Sequence, residues 1–366
     1  MKILLIGEYS NVHWTLAEGL RALGHEVCVV SNGDFWKDYR RDISLTRRND
    51  SRLSGIKYLL KAYLQLPKFK HYDIVQVINP MFLELKAERI FPYYRFLRKN
   101  NKKLFMGAFG MDAYWVKYAS TRPYKLRYSD FNIADKAIDN DYTRAQIADW
   151  QKTPKALLNE TIARECNGII AGMYEYYASY QEEFGNKLIY IPFPVDTPKE
   201  STPTYSKERK LRFFIGIQRS RSIYKGTDIM LRALERVVKE YPDYCEMYKA
   251  ENIPFKQYSQ MITNCDILLD QLYGYSPGMN ALLALANGKI VVGGAEEEHY
   301  DILNEKQLRP MVNVIPNEQD VYEKLKSLVL QREKTAKLQA ESIEYVQRHH
   351  SPVKVAQQYL DFWNNM

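Results

Sequence analysis

The sequence predicts an α/β protein made of two Rossmann-like, doubly wound domains in series, and three observations carry that expectation. Short apolar runs of strand length alternate with amphipathic helical stretches along the chain. The alternation breaks once, in the polar and proline-bearing stretch Asp196 to Lys210, and then begins again. A chain of 366 residues also exceeds the size at which a single hydrophobic core keeps growing, which favours two domains with a ligand cleft between them.

The first domain opens with strand KILLIG, turn GEYSN, helix VHWTLAEGLRALG and strand HEVCVVS, a parallel β-α-β unit in which Gly24 sits where a helix C-cap is wanted. No G-x-G-x-x-G follows the first strand, so a dinucleotide cofactor is not indicated. Further strands are expected at DIVQVIN (73–79), KKLFMGAFG (102–110), NGIIAG (167–172) and KLIYIPFPV (187–195). After the linker come LRFFIGI, YCEMYKAE (244–251), CDILLDQ (265–271) and KIVVGG (289–294). The expected boundaries are 1–200 and 201–345. Residues 346–366 form a last helix whose stripe of Val355, Tyr359, Phe362 and Trp363 must cover apolar surface and is expected to cross back to the N-terminal domain.

Composition narrows the partners. Hydrophobic content of 46% and charged content of 26% fit a globular chain, and the net charge of +8 favours ligands that carry phosphate without choosing among them. Cys28, Cys166, Cys245 and Cys265 show no C-x-x-C spacing, which argues for buried thiols in a reducing compartment and against zinc or a disulfide framework. The start reads as a β-strand and not as a signal peptide, and no run approaches the roughly 18 apolar residues of a membrane span. A cytoplasmic location is expected.

Residues 36–70 interleave Lys37, Arg40, Arg41, Arg47, Arg48, Arg52, Lys57, Lys61, Lys68 and Lys70 with Trp36, Tyr39, Tyr58, Leu59, Leu60, Tyr63 and Leu64. That pattern suits an amphipathic segment lying on an anionic membrane surface, the inner face of the cell membrane for a cytoplasmic protein. A solvated helical face is the plainer alternative. RIFPYYRFLRKNNKK (89–103) is a second stretch of the same kind. The basic residues cluster in one half without a recognised reading module, so nucleic acid is not an expected partner.

The most informative segment is LRFFIGIQRSRSIYKGTDIMLRAL (211–234). Arg219 and Lys225 stand in its loop, between an apolar strand and a helix that opens at Gly226-Thr227-Asp228. A guanidinium, an ammonium and the amides of a helix N-terminus form a site for a diphosphate that gains charge as a bond breaks. A solvated basic loop is the alternative.

At this point the chain resembles, over nearly its whole length, the GT-B fold glycosyltransferases, in particular the retaining, metal-independent family 4 type that uses nucleotide-diphosphate sugars. The resemblance rests on Gly216, Arg219, Lys225 and Gly226 of the G-x-x-R-x-x-x-x-x-K-G loop, on IPFPVD (191–196), which looks like the family's interdomain turn, and on CDILLDQLYGYSPGMNALLALANGKIVVGG (265–294). It implies that Arg219 and Lys225 stabilise the departing nucleotide, that no metal or other cofactor is needed, and that a sugar passes with retention to a saccharide or lipid-linked saccharide hydroxyl in surface polysaccharide or glycan assembly. It places Ser276, Pro277, Gly278, Met279 and Asn280 on the donor side, with Ser276 as N-cap and Asn280 on a sugar hydroxyl. The nucleobase is expected near Asn252, Ile253 and Pro254, where the second domain looks one β-α unit short. Gly7 and Asn11 fall near the diphosphate, His13 and Asp112 on the acceptor side, and Glu297, within the run Glu296 to Glu298, on donor hydroxyls. His13 alternatively reads as a packing residue, and the family's acceptor-side His is missing near Ala108 and Phe109.

The chain departs from the family where a Glu-x7-Glu pair normally holds sugar and ribose: counting back from Gly288 places Tyr275 and Leu283 there. Two rival readings therefore stand beside glycosyl transfer: a non-catalytic scaffold that binds nucleotide sugars, and a nucleotide-sugar epimerase on the same fold.

Overall fold

The computed structural model describes residues 1–198, 205–206, 208–218, 222–251 and 253–366. The chain forms two compact units, one made of Met1–Arg122, Asn140–Pro194 and Pro352–Met366, the other of Pro123–Asp139 and Val195–Ser351.

Unit 1 is built on a seven-stranded sheet of β1 (Lys2–Ile6), β2 (Glu26–Ser31), β3 (Ile43–Ser44), β4 (Ile74–Val77), β5 (Lys103–Ala108), β8 (Gly168–Ala171) and β9 (Leu188–Tyr190). Every neighbouring pair is parallel, in the order β3-β2-β1-β4-β5-β8-β9. Parallel strands carry crossover helices over both faces, so they are buried twice over and read as unbroken apolar runs. Ile3, Leu4, Leu5 and Ile6 of β1 are accordingly all fully buried. The order reverses beside β1, whose Ile3 pairs with Val27 of β2 on one side and Ile74 of β4 on the other.

Unit 2 repeats the plan with β10 (Leu211–Ile217), β11 (Cys245–Glu251), β12 (Ile267–Leu269), β13 (Ile290–Gly293) and β14 (Met311–Asn313), all parallel in the order β11-β10-β12-β13-β14. Its core packs Phe213, Ile215, Met230, Leu234, Val237, Ile267, Leu269, Val292, Val321 and Leu325. A small antiparallel hairpin, β6 (Asn132–Ile133) with β7 (Lys136–Ala137), belongs to this unit although its sequence lies inside the first half of the chain. All ten expected apolar runs are strands. β3, β14 and the hairpin are additional, and each is too short to show a period. Among the described residues no helix is long and apolar enough to cross a membrane.

The last helix, Pro352–Asn365, belongs to unit 1. Val355, Tyr359 and Trp363 are fully buried, and Phe362 and Trp363 stand 5.7 and 6.0 Å from the Phe105 ring of β5. It also lies against the helix Val12–Ala22, where Gly19 makes the close approach possible: a Cβ at Gly19 would stand 2.2 Å from the Pro352 carbonyl oxygen.

Gly19→Ala therefore opposes two effects. Alanine raises helix propensity by up to about 1 kcal/mol, while the clash is with backbone and forces the two helices apart at a cost of about 1–3 kcal/mol. Net destabilisation is expected. All five tryptophans, Trp14, Trp36, Trp115, Trp150 and Trp363, lie in unit 1, so a fall in the urea midpoint of tryptophan fluorescence checks it.

Candidate functional site

In unit 2 the strand order reverses between β10 and β12. Crossovers from these two strands leave on opposite faces of the sheet, and the crevice at their C-terminal ends is the ligand position of an open α/β sheet. β10 ends at Gly216-Ile217, and a Cβ at Gly216 would meet Cε2 of Tyr258 at 2.4 Å, so glycine lets that ring lie over the strand end. After β12, Asp270 donates its N–H to the Val292 carbonyl at 3.0 Å, and its Oδ1 accepts from Asn280 Nδ2 at 2.8 Å. Leu272 donates its N–H to the Lys225 carbonyl at 2.9 Å, which seats the Lys225-Gly226 turn on the segment after β12. Gly226 has φ +66°, and a Cβ there would press on Leu272 at 2.9 Å, so both backbone and space require glycine.

The helices that follow these loops, Thr227–Glu240 and Met279–Ala286, share one property. Each has glycine at its N-cap, Gly226 and Gly278, and neither is capped by a side chain. Their first-turn N–H groups stand at the positive end of the helix dipole, and the first of the two helices follows directly on the one-turn helix Ser222–Lys225. Ser276 was expected as N-cap, but the helix starts two residues later. Ser276 and Pro277 are buried in the preceding loop, and Gly278, Met279 and Asn280 are the half-buried residues. Ile253 follows β11 and is half-buried, beside Pro254 at the N-cap of the helix Phe255–Asn264. Arg219, Arg221 and Asn252 lie outside the described residues.

Asp270 is not anticipated from the sequence reading, although a carboxylate ending the apolar run CDILLD at a switch-point strand is the signal that would find it. Its Oδ2 makes no hydrogen bond among the described residues. Tyr275, at the position counted to the family's first Glu, is buried, and Leu283, at the second, is half-buried.

The acidic run behaves differently from expectation. Glu297 is exposed and pairs with Arg309 at 3.0 Å. Its neighbours face the other way: Arg127 reaches Glu296 at 2.8 Å and both oxygens of Glu298 at 2.5 and 3.0 Å, and Tyr128 donates its hydroxyl to Glu296. The Tyr275 hydroxyl accepts the Arg127 N–H at 2.9 Å, and its ring stands 5.0 Å from that of Tyr128. Burial pushes Tyr275 up to about 12; burial also acts to raise Glu298, yet the Arg127 guanidinium holds it below the usual carboxylate range. Glu297 is thus a surface ion-pair residue, and Glu296 and Glu298 are structural.

In unit 1 the loop after β1 is set by Gly7, at φ +89°, where a Cβ would stand 2.2 Å from Ile78 Cγ2. Glu8 is buried and its two oxygens accept from the N–H groups of His13 and Trp14 at 3.2 and 2.9 Å, so Glu8 serves the N-terminus of the helix Val12–Ala22. Asn11, at φ 70°, gives no side-chain cap and donates instead to Thr15 Oγ1 at 3.2 Å. His13 was expected on the acceptor side, but it is fully buried. Its Nδ1 lies 2.9 Å from the Gly7 carbonyl, which makes that nitrogen the donor, and its Nε2 accepts from Gln76 at 3.1 Å. Burial takes its pKa down to about 3, and the neutral ring ties the loop to β4.

Asp112 is also fully buried and both oxygens are engaged. One caps the helix Ala113–Ser120 by accepting from Trp115 N at 2.9 Å, and the other accepts from the Tyr180 hydroxyl at 2.8 Å. Burial lifts its pKa to about 6. The expectation that it orients an acceptor hydroxyl gives way to a capping role, which a strand end followed by a helix start asks of an Asp.

Neither a protein-family model nor a curated protein sequence matches the chain. Solved structures match it in fold, two Rossmann-like units of the GT-B architecture. HepE from Anabaena, in complex with UDP and glucose, is similar with a TM-score of 0.61 at 12% identity over 100% of both chains. Sucrose-phosphate synthase from Thermosynechococcus elongatus is similar with a TM-score of 0.61 at 12% identity, over 100% of this chain and 99% of that one. A Listeria monocytogenes protein assigned as a UDP-N-acetylglucosamine 2-epimerase gives 0.55 at 10% identity, over 98% of this chain and 94% of its own.

The buried Glu8 yields a prediction with a definite sign. Burial raises its pKa from 4.5 to about 8 against the pull of the Trp14 and His13 N–H groups. The folded form then keeps its proton over a window in which the unfolded chain loses it, so the contribution to stability is complete below about pH 4.5 and is lost as pH rises towards about 8. Glu8→Gln should flatten that part of the profile of urea midpoint against pH read by tryptophan fluorescence. An unchanged slope would count against it.

Proposed function

We propose that the protein transfers a glycosyl group from a nucleotide-diphosphate sugar to a hydroxyl of a saccharide or lipid-linked saccharide, with retention. One observation carries the reading: at the switch point of unit 2 two helices begin on uncapped glycines, Gly226 and Gly278, with Lys225 immediately before the first. A diphosphate is the ligand this arrangement suits, because its oxygens accept from both sets of N–H groups and Lys225 adds a cation. Arg219 is the second cation of the proposal. As the bond from the anomeric carbon to the diphosphate oxygen breaks, its electron pair stays on that oxygen, where N–H groups and cations stabilise it. The acceptor oxygen forms the new bond on the same face and its proton passes to the departing phosphate. The reaction needs neither a protein nucleophile nor a metal.

Asp270 and Asn280 supply the donor recognition that Tyr275 and Leu283 do not. Asn280 holds one oxygen of Asp270, and the other is available to a donor hydroxyl. The complex of HepE with UDP and glucose supports a UDP-sugar as donor. A lipid-linked acceptor would bring a cytoplasmic enzyme to the inner face of a membrane. The epimerase reading keeps a place because a protein assigned as a UDP-N-acetylglucosamine 2-epimerase shares the fold; conversion of a nucleotide sugar to its epimer without an acceptor would establish it.

Lys225→Ala should lower kcat by about 10²–10³, the effect of removing one donor from a developing oxyanion, with circular dichroism unchanged. Near-normal turnover in the folded variant would refute the assignment. Asp270→Asn should weaken UDP-sugar binding by about 1–3 kcal/mol by calorimetry, since a hydroxyl then meets an amide in place of a carboxylate. Equal affinity in the two proteins would remove Asp270 from the donor site.

A further inference from the structure

The helix Arg52–Gln65 of unit 1 has a face that its place in the core does not explain. Its buried side is the row Ser54, Tyr58 and Ala62, spaced i, i+4 and i+8. On an ordinary surface helix the opposite side is polar. Here it carries Leu53, Ile56, Leu60 and Leu64, which are 72, 47, 57 and 76% exposed. Their spacing of three, four and four residues confines them to an arc of about 80° at about 100° per residue, so they form one continuous apolar stripe. Such stripes are rare on monomeric surfaces and mark an interaction site.

The charge around the stripe selects the partner. Arg52 stands on one flank and Lys57 and Lys61 on the other, and Lys68 follows in the next turn, Leu66–Phe69; all four are exposed and none makes an ion pair among the described residues. No acidic residue occurs from Ser51 to Tyr72. Two copies of the stripe packed about a two-fold axis would bring these cations together with no carboxylate in either helix to answer them. An anionic surface with an apolar interior has no such conflict. The turn Phe35–Lys37 adds Phe35 and Trp36, 64 and 58% exposed. It follows Asn32, whose side chain donates to Glu84, and the Glu84 N–H donates to the Tyr58 hydroxyl of the helix at 3.1 Å, which ties turn and helix to one neighbourhood.

The second basic and aromatic stretch does not share the property. In the helix Ala87–Asn100 the apolar residues Ile90, Tyr93, Tyr94 and Leu97 are buried, and Arg95 pairs with Glu165 at 2.8 Å. The membrane expectation for 89–103 gives way to a core-packing helix.

We propose that the helix Arg52–Gln65 docks the protein on an anionic lipid bilayer, lying in the interface with Leu53, Ile56, Leu60 and Leu64 in the acyl boundary and Arg52, Lys57, Lys61 and Lys68 at the headgroup phosphates. The proposal does not depend on the chemistry of unit 2. Flotation of the full chain with vesicles of phosphatidylcholine, or of phosphatidylcholine with one third phosphatidylglycerol, tests it. Binding to the anionic vesicles should be at least about tenfold tighter and should weaken with salt. Leu60→Ser with Leu64→Ser, and separately Lys57→Glu with Lys61→Glu, should each reduce it about tenfold or more with the urea midpoint unchanged, since all four side chains are exposed. Failure to float with either vesicle, equal binding to both, or full binding by the folded leucine variant would each overturn it. Sedimentation showing a dimer that the leucine variant loses, without vesicle binding, would assign the stripe to a second copy instead.

Discussion

The reversal of strand order beside the first strand of each sheet is the constraint from which the rest follows. A parallel sheet is connected only by crossovers over its faces, and right-handed crossovers that run in both directions from one strand must part there. In unit 2 this parting falls between β10 and β12, and it decides which loops can meet: the turn at Lys225-Gly226 and the segment Asp270 to Asn280. In unit 1 it falls between β1 and β4, where the same geometry brings Gly7 against Ile78. The two partings are chemically unlike. The first is lined by glycine-started helices without side-chain caps. The second is closed over a buried glutamate and a neutral histidine that hold the loop in place.

That contrast explains what could be read from the sequence. Strands buried on both faces announce themselves as apolar runs, and a Lys-Gly before an amphipathic helix announces a helix start, so the two sheets and the helix start at Gly226 are legible. Side-chain roles at unit 1's strand ends were not. His13 and Asp112 carry the residue types of catalysis, yet one is consumed by the Gly7 carbonyl and Gln76, and the other by the Trp115 N–H and the Tyr180 hydroxyl. Those partners lie as many as 68 residues away in sequence, beyond the reach of any local pattern. Glu297 shows the same limit. Adjacent residues in a helical turn point in different directions, and the partner that separates Glu296 and Glu298 from Glu297 is Arg127, in the part of unit 2 that lies 169 residues before Glu296 in sequence.

Amphipathic pattern has a matching ambiguity. Residues 36–70 and 89–103 look alike as sequence because basic and apolar residues alternate in both. They differ in how many apolar faces the helix has. Ala87–Asn100 has one, which is buried, and its cations fall outside as on any surface helix. Arg52–Gln65 has two, and the core can cover only one of them. A periodicity argument finds a stripe but does not say whether the sheet will use it, which depends on the register at which the helix is laid down.

Charge at the unit 2 crevice sets a final condition on any anionic ligand. Asp270 is nearly buried beside the start of the helix Met279–Ala286, with Oδ2 3.9 Å from where a Gly278 Cβ would be. A helix N-terminus carries roughly half a positive charge. A carboxylate at that distance therefore opposes much of what this helix end offers an anion. An anion at the crevice gains from a full cation nearby. Lys225 stands immediately before the other helix start, at Gly226. Asp270 also gives the crevice a polar acceptor: Asn280 holds one of its oxygens at 2.8 Å, and the other makes no hydrogen bond among the described residues.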